Sequence, residues 1–410
     1  MNSTFQGQNT KNLTIIKWLT FLMFMMFAMT TDAVGVIIPE VMKQFKVGMT
    51  AAGLMHYTPM IAIALAGVFL GFLADRLGRK TTIVIGLGIF ALNSFLYIVG
   101  NTFGFILTLM AIGGLAIGVF KTGALALIGD ISKSTKEHTS TMNAVEGFFA
   151  VGAIIGPFIV TYLLSKNVAW QWLYVVAGIL CVVLILMALL VEYPKTIKES
   201  EEPVNVKGAL KMLKDPYALG FSIGAFLYVS VECAIYVWMP TLIADYTGNL
   251  VLIATYALSI FFVLRAAGRF LGAWLMAHFN WAAVLSIFSF LIFLCFLGSV
   301  VMGLSWAIIL LPLSGLFMSV IYPTINSKGI SCFPKAKHGS IAGVILFFTA
   351  AGAALGPLAM GAVSDAFGQN ALYGFILATV FAALLLAGII ANLIFNPTKT
   401  RLQQLDESEY

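Results

Sequence analysis

A single lysine stands near the middle of a long apolar stretch of this sequence. Residues 104–130 read GFILTLMAIGGLAIGVFKTGALALIGD, which is long enough for a helix that crosses a bilayer, and Lys121 lies within it. A lysine at mid-membrane depth costs roughly 2.5–3.5 kcal/mol on insertion scales, so it must face water, an acid or a ligand. The sequence therefore predicts a polar interior inside a membrane protein.

The rest of the sequence has the composition of a membrane protein. Of 410 residues, 60% are hydrophobic and only 10% are charged, which is too little charge to cover a soluble domain. Twelve apolar stretches, each near the roughly 20 residues of a spanning helix, are residues 15–39, 51–74, 81–100, 104–130, 140–164, 170–192, 217–244, 251–276, 282–303, 305–327, 339–363 and 371–395. The predicted fold is all-α, with twelve transmembrane helices and none of the alternating strands of a membrane barrel.

The basic residues are distributed unevenly among the connecting segments. If both termini are cytoplasmic, the cytoplasmic segments hold 17 of the 23 lysines and arginines, and the opposite side holds only Lys43, Lys46 and Lys166. This asymmetry follows the positive-inside rule and predicts cytoplasmic termini in an inner (plasma) membrane. The net charge of +6 is thus a signal of topology and does not indicate a nucleic-acid partner.

The most polar internal stretch separates six predicted spans from six. The expected domains are an N-terminal bundle over 1–192, a cytoplasmic linker over 193–216 and a C-terminal bundle over 217–410. Residues of the two halves match at an offset of 200 or 201, as in Gly152 with Gly352, Gly156 with Gly356, Asp32 with Glu232, Pro39 with Pro240 and Gly114 with Gly315. Two parallel six-helix repeats with a site between them at mid-membrane are typical of secondary transporters.

Residues 71–80, GFLADRLGRK, join the second and third predicted spans. The glycines permit a tight turn, Asp75 can cap a neighbouring helix, and the basic residues can face anionic headgroups, as in an ordinary cytoplasmic loop. The segment also resembles the loop signature G-x-x-x-D-R-x-G-R-K of the major facilitator superfamily. That resemblance implies a membrane transporter in which Asp75, Arg76 and Arg79 take part in gating.

Segments of the second half resemble one subfamily more closely. Residues 228–232 (YVSVE), 268–272 (GRFLG) and 315–325 (GLFMSVIYPTI) are similar to the fucose/glucose–proton symporters. This likeness covers most of residues 220–365 and implies uptake of a monosaccharide together with a proton. That subfamily carries a carboxylate in span four near the place of Lys121, so the present chain differs in its coupling residue or in the charge of its substrate.

Six ionisable residues are predicted inside the spans, namely Asp32, Lys121, Glu146, Glu232, Arg265 and Arg269. Asp32 and Glu146 are the expected partners of Lys121, because their helices belong to one half-bundle, and Glu232 is the expected partner of Arg265. A buried pair can switch when its acid is protonated, so the three acids are the predicted proton-coupling residues. A static pair that holds helices together is the alternative, and Arg269, nearer the cytoplasmic end, is assigned to gating.

The substrate-binding candidates combine amide, hydroxyl and aromatic side chains with the central lysine. They are Lys121, Asn143, Tyr228, Trp238, Tyr322 and Asn326. The repeat register sets Tyr322 opposite Lys121, whereas aromatic residues in spans can equally serve as packing or interface anchors.

Other functions compete with sugar–proton symport. An organic anion or sugar acid would use Lys121 as its counter-charge. Residues 152–157, GAIIGP, resemble the start of a motif of drug antiporters but continue with Phe158-Ile159-Val160 in place of two glycines, which favours close helix packing. A non-transporting membrane sensor is a further alternative.

The sequence gives no sign of enzyme chemistry. It contains no nucleotide-binding loop, metal-spaced cluster or nucleophile elbow, so no catalytic residue, metal or cofactor is predicted. The four cysteines, Cys181, Cys233, Cys295 and Cys332, lack metal or disulfide spacing. The expected partners are a small-molecule substrate, protons and membrane lipids, with a monomeric chain and no nucleic acid.

Overall fold

In a computed structural model, the described residues of the chain fold mostly into helices. The structure describes residues 2–70, 73–131, 135–194, 212–333 and 338–409, and within these ranges there is no strand. Twelve helical stretches of the described residues are long and apolar enough to cross a membrane, and we number them spans 1–12: Asn12–Phe45, Met49–Gly67, Arg79–Leu96, Phe103–Ile128, Ala144–Ser165, Trp172–Leu190, Pro216–Ile243, Ala257–Met276, Trp281–Val301, Leu304–Ser331, Val344–Ala366 and Ala371–Phe395. The predicted all-α fold of twelve membrane helices is confirmed.

Several spans consist of more than one helix. The helices are α1 Asn2–Thr31, α2 Val34–Phe45, α3 Met49–Ala52, α4 Leu54–Leu70, α5 Leu73–Arg76, α6 Arg79–Leu96, α7 Phe103–Ile131, α8 Thr135–Ser165, α9 Trp172–Leu190, α10 Pro216–Cys233, α11 Met239–Ile243, α12 Val251–Thr255, α13 Ala257–His278, α14 Trp281–Val301, α15 Leu304–Met318, α16 Ile321–Ser331, α17 His338–Ala366, α18 Ala371–Phe395 and α19 Pro397–Glu409. A π-helix over Ala234–Trp238 connects α10 to α11.

Contacts divide the chain into two units. Unit 1 comprises Met1–Val47 and Leu54–Ser200, and unit 2 comprises Gly48–Gly53 and Glu201–Tyr410. The short segment 48–53 therefore groups with the second unit, although the chain on both sides of it belongs to the first. Most of the predicted linker over 193–216 lies outside the described residues, so that boundary stays a prediction.

The same helix pairings occur within each unit. In unit 1, span 1 packs on span 5, span 4 packs on spans 2 and 3, and span 3 also packs on span 6. In unit 2, span 7 packs on span 11, span 10 packs on spans 8 and 9, and span 9 also packs on span 12. Each pairing in unit 2 is the pairing in unit 1 advanced by six spans, which agrees with the internal repeat inferred from the sequence.

Glycines bring one pair of helices in each unit into backbone contact. A Cβ atom built on Gly156 of α8 would lie 2.0 Å from the carbonyl oxygen of Met29 in α1. A Cβ built on Gly356 of α17 would likewise lie 2.6 Å from the side chain of Ser230 in α10. Residues 152–157 thus act as a close-packing surface, because small residues let the two helix backbones approach.

This packing also refines the repeat register. Met25 and Met29 in unit 1 occupy the places that Phe226 and Ser230 occupy in unit 2, which is an offset of 201 residues. Asp32 and Glu232 match in the sequence at an offset of 200. At the offset of 201 that the packing gives, Glu232 lies one residue before the position equivalent to Asp32. One residue on a helix is a rotation of about 100°, so the two acids point in different directions within their units.

Three spans are irregular beside polar side chains. Span 1 is interrupted at Asp32 and Ala33, between α1 and α2, and span 10 is interrupted at Ser319 and Val320. Span 7 loosens into its π-helix just before Pro240, whose ring cannot donate a hydrogen bond to residue 236 and crowds that carbonyl. Such irregular turns are frequent at functional sites in membrane helices.

We expect Gly156→Ala to destabilise unit 1 by about 1–3 kcal/mol, because the new methyl group would overlap the backbone of α1. Gly147→Ala on the same helix is the matched control, since a Cβ there meets nothing within 4 Å. Thermal unfolding of the purified variants in detergent would measure both effects. A Tm for Gly156→Ala equal to that of the control would contradict the close packing of α1 on α8.

Candidate functional site

In unit 1, Lys121 lies among two carboxylates and an aromatic ring. Its Nζ atom is 5.7 Å from the centre of the Phe149 ring, within the range of a cation–π contact. Glu146 and Asp32 both lie within electrostatic range of the ammonium group. The structure thus brings together the three charged residues that the sequence predicted as partners, and adds Phe149, which was not predicted. We call these four residues the lysine cluster.

The elements of unit 1 explain how these side chains meet. Asp32 follows the last residue of α1, where the helix breaks, and its Oδ2 atom accepts a hydrogen bond of 2.8 Å from the Thr31 hydroxyl. Glu146 and Phe149 stand three residues apart on α8, hence on one face of that helix. Asp32 and Lys121 are half-buried, whereas Glu146 is exposed. A carboxylate exposed within a span indicates a water-accessible surface, because a charge in lipid is costly.

Unit 2 contains a second buried charge cluster. An Arg265 Nη2 atom lies 2.5 Å from Glu232 Oε1, and Glu232 is only 6% exposed, so the predicted ion pair is formed deep in the unit. The hydroxyl group of Tyr228 lies 3.0 Å from the same carboxylate oxygen and 2.8 Å from the carbonyl oxygen of Met318. We call these residues the arginine cluster.

The Tyr228 hydroxyl joins this cluster to the interruption of span 10. Met318 is the last residue of α15, and carbonyl groups at a helix end lose their regular intrahelical donors. A phenol has one hydrogen to donate, so at any moment it serves either the Met318 carbonyl or the Glu232 carboxylate. The Tyr228 hydroxyl group therefore has two possible acceptors, and Arg265 contacts the Glu232 carboxylate with either of them.

Three further candidates surround the arginine cluster. The Tyr322 ring stacks on Tyr228 with centroids 6.3 Å apart, and it is half-buried, as is Asn326 one turn later on α16. Arg269 acts electrostatically on Tyr228, which places it beside this cluster. Trp238 is buried in unit 2, and its indole nitrogen donates to the Pro357 carbonyl at 3.0 Å, so it is a packing residue there.

The loop after span 2 forms an ion pair that sequence reasoning missed. Gly78 has a φ of +86°, a left-handed conformation that glycine adopts without strain, and it precedes the first turn of α6. Arg79 in that turn is nearly buried, and its Nε atom donates to Asp130 Oδ2 at 2.9 Å, at the end of span 4. Arg76 is exposed, and the side chains of Asp75 and Asn143 lie outside the described residues.

A second acid, also missed, acts as a helix cap. Both carboxylate oxygens of Asp365, near the end of α17, accept hydrogen bonds of 2.8 Å from the backbone N–H groups of Met49 and Thr50. These N–H groups begin α3, where the first donors of a helix have no intrahelical partner and carry partial positive charge. Gly48, the residue before α3, has no side chain that could cap these N–H groups. Asp365 caps them instead and links segment 48–53 to α17 within unit 2.

The described residues offer no group of three or more His, Cys, Asp or Glu that could hold a metal ion. The two clusters contain ion pairs, hydrogen bonds and aromatic surfaces. Such groups can bind a polar solute and can hold or release a proton.

We expect Arg265→Met to destabilise unit 2 by about 3–5 kcal/mol, because it would leave the Glu232 carboxylate buried without its cation. Arg269→Met removes the same charge one turn along the same helix, and a smaller loss is expected because Arg269 acts on Tyr228 electrostatically and does not make the 2.5 Å contact that Arg265 makes with Glu232. Adding Glu232→Gln to Arg265→Met should restore much of the stability. Equal losses of Tm for the two arginine variants, or no recovery in the double variant, would argue against the buried pair.

Comparisons with known proteins agree with this architecture. The sequence model of the Major Facilitator Superfamily matches residues 20–357. The quinolone resistance protein NorA of Staphylococcus aureus is 26% identical over 417 residues, covering 96% of this chain and 99% of NorA. Among solved structures, the nucleoside transporter NupG superposes with a TM-score of 0.74 at 15% identity (94% of this chain, 99% of NupG). The fucose:proton symporter FucP of E. coli superposes with a TM-score of 0.62 at 20% identity (92% of this chain, 98% of FucP). The chain therefore belongs to the Major Facilitator Superfamily, and it is a membrane transporter and not an enzyme.

Proposed function

We propose that this protein is a secondary transporter that moves a small neutral solute, with a monosaccharide as the favoured class, in symport with a proton by alternating access. The lysine cluster of unit 1 carries this proposal. It holds two carboxylates within electrostatic range of one cation, inside a membrane-spanning unit. Such a group of ionisable side chains can change its net charge by taking up one proton, which supports the proposal.

The charge balance of this cluster supports proton coupling. With Asp32, Glu146 and Lys121 all ionised, the formal charge is −1, and one added proton makes the cluster neutral. A net charge is disfavoured where water is excluded, so the neutral form favours an occluded state and the charged form favours a state open to water. A proton taken up on one side and released on the other can thereby drive the transport cycle.

The same balance supports a neutral solute. An anion bound beside Lys121 would return the protonated cluster to a net negative charge unless both carboxylates were protonated. A neutral solute needs one proton only. A monosaccharide also suits the polar and aromatic groups that lie near the clusters: the Phe149 ring in unit 1, and the half-buried Tyr322 and Asn326 on one face of α16 in unit 2.

We assign the proton to Asp32 and not to Glu146. Asp32 is half-buried at the break in span 1 and is held by the Thr31 hydroxyl, whereas the Glu146 side chain is exposed. A carrier must keep its proton away from water while the protein changes state, which the shielded carboxylate does better. Glu146 then serves to balance the charge of Lys121.

Drug export is the second candidate function. The relative NorA, whose name is quinolone resistance protein, is 26% identical over nearly the whole chain. Against export stands the packing of residues 152–157, where Gly152 and Gly156 lie against the α1 backbone and so account for the partial antiporter motif by close contact alone. The solved structures of this fold include a nucleoside transporter and two sugar–proton symporters, so the fold by itself does not select a substrate.

We expect Asp32→Asn to retain sugar counterflow in proteoliposomes but to lose uptake driven by a pH gradient. At one proton per solute, a gradient of one pH unit can drive an accumulation of about tenfold. The wild type should approach that ratio, and Asp32→Asn should stay near equal concentrations. Glu40→Gln, which removes a carboxylate of span 1 that pairs with Lys43 and belongs to neither cluster, is the matched control and should still accumulate solute. Accumulation by Asp32→Asn, or its loss in Glu40→Gln, would overturn the assignment.

Replacing Lys121 separates a neutral substrate from an anionic one. For Lys121→Gln we expect counterflow of the transported monosaccharide to keep an affinity within about tenfold of the wild type, whereas an anion held by the ammonium would lose about 10- to 150-fold. The double variant Asp32→Asn with Lys121→Gln controls for the carboxylate left without its cation. A screen of monosaccharides, sugar acids and quinolones identifies the solute, and export of a quinolone without any sugar counterflow would favour the second candidate.

A further inference from the structure

Unit 2 contains an apolar cavity that neither charged cluster uses. It measures about 480 Å³ and lies among spans 7, 9, 10 and 12, at the end of the unit where spans 7 and 9 begin. That volume falls in the range of small-molecule sites. Its walls are aliphatic and aromatic, with Phe221, Leu227, Ile325, Leu384 and Ile389 among them.

The cavity opens at the surface of the spans. Gly220 on α10 and Gly388 on α18 line it, both are exposed, and a Cβ atom built on either would meet nothing within 4 Å. Exposed apolar residues within membrane spans face acyl chains and not water. The opening is therefore accessible from the hydrocarbon region of the bilayer.

At the rim of the cavity, two cationic side chains lie over aromatic rings that line it. Lys328 Nζ lies 5.7 Å from the centre of the Trp281 ring, and the Arg401 guanidinium lies 5.6 Å from the centre of the Tyr217 ring. Tyr217 and Trp281 lie in the first turns of α10 and α14, where aromatic and basic residues mark the membrane–water interface. The site thus has an apolar depth and a cationic rim.

The charges at this rim form a compact group. Arg401 Nε donates to the Cys332 carbonyl at 3.2 Å, and its Nη2 atom is 4.0 Å from Asp215 Oδ2. Burial raises the pKa of the Cys332 thiol to about 11, and Arg401, Asp215 and Lys328 all act on it electrostatically. Two cations and one carboxylate leave a net positive rim at the end of the unit that is predicted to be cytoplasmic.

We propose that this cavity is a binding site for an anionic phospholipid of the inner leaflet, with an acyl chain in the apolar cavity and the phosphate between Lys328 and Arg401. The lining is mostly apolar, and its polar side chains Asn392 and Thr398 hydrogen-bond each other. A lipid therefore matches both the walls and the charged rim better than a polar solute does. Juxtamembrane cations of this kind attract anionic headgroups. The site is separate from the lysine and arginine clusters and does not depend on the transported solute.

Native mass spectrometry of the purified full chain tests this site with added phosphatidylglycerol, phosphatidylcholine or inorganic phosphate. We expect retained adducts of phosphatidylglycerol in preference to phosphatidylcholine. Each cation should contribute about fivefold, so Lys328→Gln with Arg401→Gln should remove most of the preference. Lys166→Gln is the matched control, because Lys166 also lies over a tyrosine ring, 5.9 Å away, but in unit 1.

A second variant tests the cavity itself. Gly388→Leu should place a side chain in the apolar space, because a Cβ atom there meets nothing within 4 Å, and should reduce adducts of both phospholipids. Gly88→Leu in unit 1, where a Cβ also meets nothing within 4 Å, should not reduce them. Equal retention of the two lipids by the wild type would overturn the proposal. Unchanged lipid adducts in Gly388→Leu would also overturn it, as would retention of inorganic phosphate to the same extent as the lipid. If the protein forms a dimer that Gly388→Leu abolishes, the cavity is instead covered by a second copy of the chain.

Discussion

Charge compensation inside membrane-spanning helices is the constraint on which this structure depends. A lysine or arginine in a span cannot rely on bulk water, so the protein must supply a carboxylate, an aromatic face or an aqueous surface. Unit 1 supplies all three to Lys121: Asp32 and Glu146 as acids, Phe149 as the ring, and an exposed carboxylate as the sign of access to water. Unit 2 supplies a buried carboxylate and a phenol to Arg265.

The two units use a shared architecture for different purposes. Their helix pairings repeat, and the same glycine contacts join span 1 to span 5 and span 7 to span 11. Their charges differ. The acids around Lys121 outnumber the cation and are partly open, whereas Glu232, which pairs with Arg265, is only 6% exposed. The surplus acid beside Lys121 is the reason why our proposal places the coupling proton in unit 1.

Much of this could be predicted from the sequence, because lipid imposes simple rules. Hydrophobic length identified twelve spans, and the rarity of charge within them singled out Lys121, its two acids and the pair of Glu232 with Arg265. The π-helix, the break at Asp32 and the one-residue shift of register could not be predicted, since they follow from packing of particular turns. Arg79 was assigned from its motif, but its partner Asp130 lies 51 residues away and belongs to no local pattern.

The capping of α3 by Asp365 shows why some contacts leave no trace in a sequence. The donors are main-chain N–H groups, which nineteen of the twenty amino acids can provide, and the acceptor is one carboxylate far along the chain. As far as this hydrogen bond is concerned, positions 49 and 50 need only avoid proline, although Met49 is also buried, whereas position 365 must supply the carboxylate. A comparison of related sequences would therefore show a constraint from this hydrogen bond at the acceptor, position 365, and not at the donors.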